Sequence, residues 1–245
     1  MTIGVFGTGR FGKFWAELLA ERHTVVTCNR TRREVPAGCR SVGLDEMGRC
    51  DAVFLCVAIS SVVPVLEQLS PHLRPGSVVL DTCSVKVYPT RAMRDILPEN
   101  IECIGTHPMF GPDSARDGVA GLPLVFAPGR CRAETAERWR KEFRDMGLAV
   151  SDLAPEEHDR EAAYTQGVTH FVGRVLADMA LVESEIATVG YRQLLAVMEQ
   201  TCNDPYQLFE DLQRFNPYTT EMRQKLQQSL NRLLESLESR LDTRS

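Results

Sequence analysis

The chain has 245 residues, of which 43% are hydrophobic and 25% charged, and its formal net charge is −5 at pH 7. This composition allows one or two domains with buried cores, and the absence of a large basic block argues against a nucleic-acid partner. No apolar stretch is long enough to span a membrane, and the chain opens on a strand rather than a signal peptide. The eight cysteines include no CxxC pair and lack metal-ligand spacing. We therefore expect a cytoplasmic protein with reduced thiols and no metal site.

A glycine-rich loop follows the first apolar run, Thr2–Phe6, and precedes a helical pattern. Its residues are Gly7, Thr8, Gly9, Arg10, Phe11 and Gly12. Glycines at positions 7 and 9 permit a tight turn and a close approach of the backbone to a pyrophosphate. Gly12 lets the following helix pack on the strand, and the helix N-terminus faces the anion. Because the loop lies between a strand and a helix, it predicts a dinucleotide site.

The second apolar run, Thr24–Cys28, ends where an NAD enzyme usually has an acidic residue for the ribose 2′-hydroxyl. This chain has Asn29, Arg30 and Thr31 there, followed by two more arginines. An amide, a guanidinium and a hydroxyl suit a 2′-phosphate, so the sequence favours NADP, with NAD also possible. The alternative interpretation is a solvated basic turn after a strand.

Strand and helix patterns alternate through about residue 150, which predicts an α/β fold with a Rossmann-type doubly wound parallel sheet over residues 1–153. Residues 154–245 then form an all-helical domain for substrate binding and dimerisation. We expect one helix over about residues 157–188, another from near Tyr191 and a last one after Pro217. The last helix carries an apolar stripe that indicates a core or self-association face, and thus a homodimer: Met222, Leu226, Leu230, Leu233, Leu237 and Leu241.

Two loops after predicted strands carry the chemistry, because ligands of open α/β sheets bind at the carboxyl ends of the strands. Residues 81–86 read Asp-Thr-Cys-Ser-Val-Lys, and residues 105–112 read Gly-Thr-His-Pro-Met-Phe-Gly-Pro. His107, on a turn braced by Pro108, suits a general base that removes a hydroxyl proton during hydride transfer, with Ser84 as a nearby donor and acceptor. The alternative is a histidine that only ties the loop together.

These segments, in this order, resemble the prephenate/arogenate (cyclohexadienyl) dehydrogenases of tyrosine biosynthesis. The likeness rests on the glycine loop, residues 81–86, residues 106–112 and the helical stretch from His158 to Phe171, and it extends to Tyr218. The most specific part is the HPMFGP string at residues 107–112.

The resemblance implies oxidative decarboxylation of a cyclohexadienyl substrate, with hydride transfer to the nicotinamide. His107 corresponds to the catalytic histidine of the family, which hydrogen-bonds the ring hydroxyl, and Ser84 to the serine that shares this bond. His170 corresponds to a histidine that contacts the substrate. Without the family pattern, His170 would be interpreted as a buried helix histidine with a satisfied partner.

Arogenate and prephenate differ in their side chain, which carries an ammonium in the first and an oxo group in the second. Asp117 resembles an acidic position of arogenate-preferring plant members, and its carboxylate would pair with the ammonium. The alternative, of equal weight, is that Asp117 is an ordinary turn aspartate that precedes a glycine. Many prephenate-specific members hold the side-chain carboxylate with an arginine before a turn like that at residues 203–205, where this chain has none. Arg174, Arg192 and Arg223 stay open as substitutes, and the sequence leans towards arogenate.

Two other functions are compatible with the glycine loop and the basic turn. One is a different NADP-dependent oxidoreductase, such as one of the β-hydroxyacid dehydrogenase type, which would not need Ser84, His107 and His170 to converge. The other is a non-catalytic dimer that binds NADP as a signal. This last function predicts cofactor binding without turnover.

Overall fold

The computed structural model describes residues 1–242, with side chains as far as Ser239. Within it the chain forms two compact units that divide between His158 and Asp159, whereas the sequence analysis placed the domain boundary after residue 153. The first unit holds a sheet flanked by helices, and the second is helical.

The sheet of the first unit has eight strands in the order β3-β2-β1-β4-β5-β6-β7-β8. The first six strands of this order, β3-β2-β1-β4-β5-β6, have the arrangement of a Rossmann-type sheet, in which the direction of strand addition reverses between β1 and β4. This arrangement confirms the predicted fold class. The strands are β1 (Thr2–Phe6), β2 (Thr24–Cys28), β3 (Cys39–Ser41), β4 (Ala52–Leu55), β5 (Val78–Asp81), β6 (Glu102–Pro108), β7 (Pro123–Pro128) and β8 (Ala149–Asp152).

Five α-helices belong wholly to this unit: α1 (Arg10–Ala20), α2 (Leu44–Met47), α3 (Val62–Leu69), α4 (Val87–Ile96) and α5 (Ala133–Asp145). An aromatic cluster packs α1 and α5 on the sheet. Phe54 of β4 contacts Trp15 of α1 with ring centroids 5.8 Å apart and Trp139 of α5 at 5.4 Å. All three side chains are fully buried. Burial of large aromatic rings is a strong source of stability and fixes the helices against the strands that bear the ligand loops.

Two strands at one edge differ from the predicted parallel arrangement. β7 runs antiparallel to β6, and β8 is parallel to β7. The connection between β6 and β7 contains turns but no helix, so the chain returns antiparallel instead of crossing over. Pairing with β7 also extends β6 through His107 and Pro108, into the segment of residues 105–112 that the sequence pattern predicts as a loop.

The remaining helices are α6 (Pro155–Ala162), in which the division into units falls, α7 (Val168–Asp178), α8 (Val189–Cys202), α9 (Tyr206–Phe215) and α10 (Thr219–Asp242). A π-helical segment, Ala163–Gly167, joins α6 to α7. α7 lies so close to α8 at Gly173 that a Cβ there would be 2.0 Å from Thr201 Oγ1. The helix expected to reach residue 188 ends at Asp178, shortly before Ala180 takes a left-handed φ of 54°.

The apolar stripe on α10 divides along its length. Met222 is buried and Leu226 half-buried, whereas Leu230, Leu233 and Leu237 are exposed. The side chain of Leu241 lies outside the described residues. The homodimer expected from this stripe stays a prediction. Among residues 1–242, no helix combines the length and the hydropathy needed to cross a membrane.

Candidate active site

The glycine loop lies at the carboxyl end of β1, where the strand order of the sheet reverses. Gly7 has a φ of 94°, and a Cβ there would lie 2.5 Å from the Cys56 carbonyl oxygen that follows β4. A Cβ on Gly12 would lie 1.9 Å from the Gly7 carbonyl oxygen. A Cβ on Gly9 would meet nothing within 4 Å. Gly7 and Gly12 are therefore required by packing, while Gly9 leaves open space next to the loop.

The same loop presents uncapped backbone N–H groups. No side chain caps the N-terminus of α1, and its first turn has no acidic residue. The Phe11 ring stacks on Trp15 at 5.7 Å and is half-buried. Arg10 pairs with Asp113, which follows β6. Backbone N–H groups that no side chain caps, at a helix start beside a glycine, fit a pyrophosphate.

Asn29 connects the glycine loop to the end of β2. Its Oδ1 accepts a hydrogen bond from the Thr8 backbone N–H at 2.6 Å and one from Thr8 Oγ1 at 3.0 Å. Arg30 and Thr31 follow and are exposed. In the described part of the chain, Arg30, Arg32 and Arg33 form no ion pair. Three unpaired guanidinium groups thus lie on the segment that follows the strand next to the glycine loop.

His107 is buried on β6, with 3% of its surface exposed. Its Nδ1 lies 2.8 Å from Nε2 of His158 on α6. No residue between positions 1 and 242 makes a hydrogen bond with His107 Nε2. Burial lowers the pKa of His107 well below its usual value of 6.5, and the nearby His158 and Lys86 lower it further. The lowered pKa favours the neutral imidazole, whose Nδ1 contacts His158 and whose Nε2 has no hydrogen-bond partner among the described residues.

Ser84 lies in the loop after β5, the strand next to β6, and is half-buried. The carboxyl ends of these strands place Ser84 and His107 at one edge of the sheet. No hydrogen bond joins their side chains within the described residues. The same loop ends at Lys86, whose side chain is fully buried against Asp81.

Asp117 lies in the turns between β6 and β7, with 93% of its side chain exposed and an ion pair to Arg116 at 3.6 Å. Gly118 follows with a φ of 106°. The carboxylate is thus free to meet a ligand, and its place before a left-handed glycine also fits an ordinary turn aspartate.

His170 belongs to the second unit, on α7, and is 7% exposed. Its Nδ1 is buried without a hydrogen-bond partner, and so are Gln166 Oε1 and Arg174 Nε. Successive members of this set are four positions apart in the chain, so the three side chains share one face of the helical stretch. Burial lowers the pKa of His170, Asp204 opposes this effect and Arg174 adds to it. Unpartnered buried polar atoms are costly, so this face is suited to a polar ligand.

The three arginines left open by the sequence differ in their partners. Arg223 donates to the Gln213 carbonyl and amide oxygens at 3.0 and 2.8 Å, and Arg192 is exposed. Arg174 donates from Nη2 to the carbonyls of Thr201 and Asp204 at 3.1 and 2.8 Å. Of the three, Arg174 alone has a buried N–H without a partner, at Nε.

Two residues near His107 are not among the predicted site residues. His158 lies 51 positions away in the chain, and Lys86 ends the segment of residues 81–86. Nothing in the local pattern shows that a lysine is buried or that two histidines meet. No group of three His, Cys, Asp or Glu side chains in residues 1–242 could hold a metal.

Comparisons with known proteins identify the family. A model described as "Prephenate dehydrogenase, nucleotide-binding domain" matches residues 24–124, and one described as "TYRAAT1-like, C-terminal domain" matches residues 175–245. Arogenate dehydrogenase 2, chloroplastic, of Arabidopsis thaliana is 32% identical over an alignment of 256 residues that covers 98% of this chain and 71% of the relative. The chain belongs to the prephenate/arogenate dehydrogenase family. The resemblance inferred from the sequence motifs is thereby confirmed.

Other members of the prephenate/arogenate dehydrogenase family agree with this assignment. Arogenate dehydrogenase 1, chloroplastic, of A. thaliana is 31% identical over 98% of this chain, which spans only 40% of that relative. The crystal structure of prephenate dehydrogenase from A. aeolicus, in complex with hydroxyphenyl propionate and NAD+, has a TM-score of 0.74 at 17% identity, covering 99% of this chain and 92% of that one. That likeness concerns the fold. The chain therefore carries the nucleotide-binding unit of an oxidoreductase family of tyrosine biosynthesis.

Proposed function

We propose that this chain catalyses the oxidative decarboxylation of arogenate or prephenate, with arogenate preferred and NADP as hydride acceptor. The observation that carries the proposal is His107, buried at the carboxyl end of the sheet, held at Nδ1 by His158 and without a partner at Nε2. A neutral imidazole in this state suits the removal of a hydroxyl proton. A different oxidoreductase or a nucleotide sensor would not require it.

The residues present fit a nicotinamide dinucleotide. The N–H groups at the start of α1 and the open space at Gly9 would hold the pyrophosphate. Asn29, Arg30 and Thr31 would hold the ribose end. When bound, the nicotinamide accepts the hydride from the ring carbon that bears the hydroxyl.

The protein's contribution to the reaction is positioning and proton removal. In the tautomer in which Nδ1–H of His107 donates to Nε2 of His158, His107 Nε2 is unprotonated and able to take the hydroxyl proton. As the hydroxyl-bearing carbon becomes a carbonyl-like centre, the bond to the ring carboxylate breaks. Its electron pair moves through the ring to the carbonyl oxygen, which takes the proton back from His107 to form the phenol, and carbon dioxide leaves. Formation of the aromatic ring supplies the driving force. Ser84 and His170 stay proposals as groups that contact the hydroxyl and the substrate.

The function is tested by incubating the chain with each substrate and each dinucleotide and following the reduced nicotinamide. We expect turnover with at least one substrate, fastest with arogenate and NADP, together with release of carbon dioxide. Dinucleotide binding, seen as a raised melting temperature, without any turnover would contradict the proposal and favour the nucleotide sensor.

The preference for arogenate is proposed to depend on Asp117. Since hydrogen bonds to charged groups are each worth about 1.5–3 kcal/mol, Asp117→Asn should lower kcat/KM for arogenate by about tenfold to a hundredfold. The same variant should keep its kcat/KM for prephenate, which serves as the internal control. Equal losses with both substrates, or a wild-type preference for prephenate, would contradict this role.

The preference for NADP is proposed to depend on Arg30, and its exposed guanidinium without an ion pair supports the role. Arg30→Ala should raise KM for NADP about tenfold, because one charge-assisted hydrogen bond to the 2′-phosphate is lost. KM for NAD, which lacks that phosphate, should stay unchanged. Steady-state kinetics with both dinucleotides makes the comparison, and the same change in both constants would remove Arg30 from this role.

A further inference from the structure

Lys86 and Asp81 form an ion pair whose side chains are both fully buried. Asp81 ends β5, and Lys86 lies in the loop before α4. Burying two charges costs desolvation that their attraction only partly returns, and such pairs are often replaced by apolar residues without loss of stability. Stability of the fold therefore does not explain why this position carries an ammonium.

Hydrogen bonds of the pair connect the two strands that carry the chemistry. Lys86 Nζ donates to the carbonyl of Thr106 at 2.6 Å, and Thr106 Oγ1 donates to the carbonyl of Asp81 at 2.6 Å. Thr106 directly precedes His107. The Cys83 backbone N–H donates to Asp81 Oδ1 at 2.9 Å, which fixes the loop next to Ser84. The ammonium thus links the loop that contains Ser84 to the strand that bears His107.

We propose that Lys86 is a positioning residue of the reaction, which holds the Ser84 loop against the His107 strand and places a positive charge at Thr106, the neighbour of His107. This inference rests on the proposed function. The Lys86 side chain is fully buried, so its proposed effect on the reaction is indirect and passes through the Thr106 backbone and His107.

The charges around His107 support the second part of this role. His158 on α6 and Lys86 are the titratable side chains that lower its pKa besides burial, and Asp81 of β5 lies behind Lys86. Val125, which pairs with His107 on β7, carries no charge. Because an ammonium opposes the formation of a nearby imidazolium, loss of the ammonium should raise the pKa of His107.

Three variants separate the effects of charge, hydrogen bond and folding. Lys86→Met removes both the charge and the donor, and Lys86→Gln removes the charge but keeps a donor for the Thr106 carbonyl. The double variant Asp81→Asn with Lys86→Met leaves no unpaired buried charge, so it tests the role even where Lys86→Met does not fold.

We expect kcat to fall about tenfold or more in Lys86→Met and in the double variant, since small misplacements of reacting groups are costly. Lys86→Gln should lose less. In all three, the acidic limb of kcat/KM should move to higher pH, while NADP raises the melting temperature as in the wild type. A folded double variant with wild-type kcat and an unmoved limb would overturn the inference.

The outcome is distinguishable from failure of the proposed function. If the wild type turns over neither substrate, the proposed function fails, and the NMR titration of the His107 ring in wild type and variants still tests the effect of Lys86. A His107 pKa that does not rise without the ammonium would overturn the inference in that case also.

Discussion

Replacement of His107 by asparagine is expected to lower kcat by about 10²- to 10⁴-fold, the usual contribution of a general base, while NADP still raises the melting temperature. The amide nitrogen of asparagine reaches about the position of Nδ1, so the contact with His158 can persist. The group at the position of Nε2 is lost, and with it the acceptor for the hydroxyl proton. Initial rates of nicotinamide reduction and thermal melts measure the two effects separately.

His107→Gln is the matched control for that experiment. Its amide reaches about the position of Nε2 and can hydrogen-bond the hydroxyl, but an amide does not take up a proton at neutral pH. We expect it to bind substrate better than His107→Asn and to remain nearly as inactive. If either variant kept a rate close to that of the wild type, His107 would not be the base.

The pair Gly12→Ala and Gly9→Ala is expected to separate folding from cofactor binding. A Cβ on Gly12 would overlap the Gly7 carbonyl, which is backbone and has little freedom to move. Overpacking of this kind costs about 1–3 kcal/mol or more, and we expect the upper end, with a clearly lower melting temperature. Gly9 has open space around its Cβ position, so Gly9→Ala should fold with a cost of about 1 kcal/mol at most.

Gly9→Ala should nevertheless bind NADP much more weakly, because its methyl group occupies the space that a pyrophosphate would enter. Melting curves with and without NADP measure both properties in one experiment. If Gly9→Ala gained as much stability from NADP as the wild type does, the pyrophosphate would not approach the loop at this glycine. If Gly12→Ala melted like the wild type, the packing explanation for Gly12 would be wrong.

Much of the first unit could be predicted from the sequence, because its short apolar runs and intervening helical patterns are local signals. The glycine loop and the chemistry-bearing loops after β5 and β6 followed from the same pattern. The extension of β6 through His107 could not be predicted in this way, since it depends on pairing with β7, which is a contact between distant segments.

The polar contacts around the site were even less visible in the sequence. The contact between His107 and His158 joins residues 51 positions apart, and Lys86 pairs with Asp81 while fully buried, so neither contact leaves a local signal. In the second unit, the apolar periodicity suggested a helix to residue 188. Instead, α7 ends at Asp178, and Ala180 just after it has a left-handed conformation. Position 180 is neither a glycine nor a proline, so nothing in the sequence indicated this end.

The pH dependence of kcat/KM tests the role of His107 most directly, because its acidic limb reports the protonation of the base in the free enzyme. Burial, His158 and Lys86 lower the pKa of His107 below 6.5, so the neutral, active form should persist as the pH falls below that value. We predict an acidic limb below pH 6.5 in the wild type and its absence from the residual activity of His107→Asn. A limb at or above pH 6.5, or the same limb in both proteins, would contradict the account.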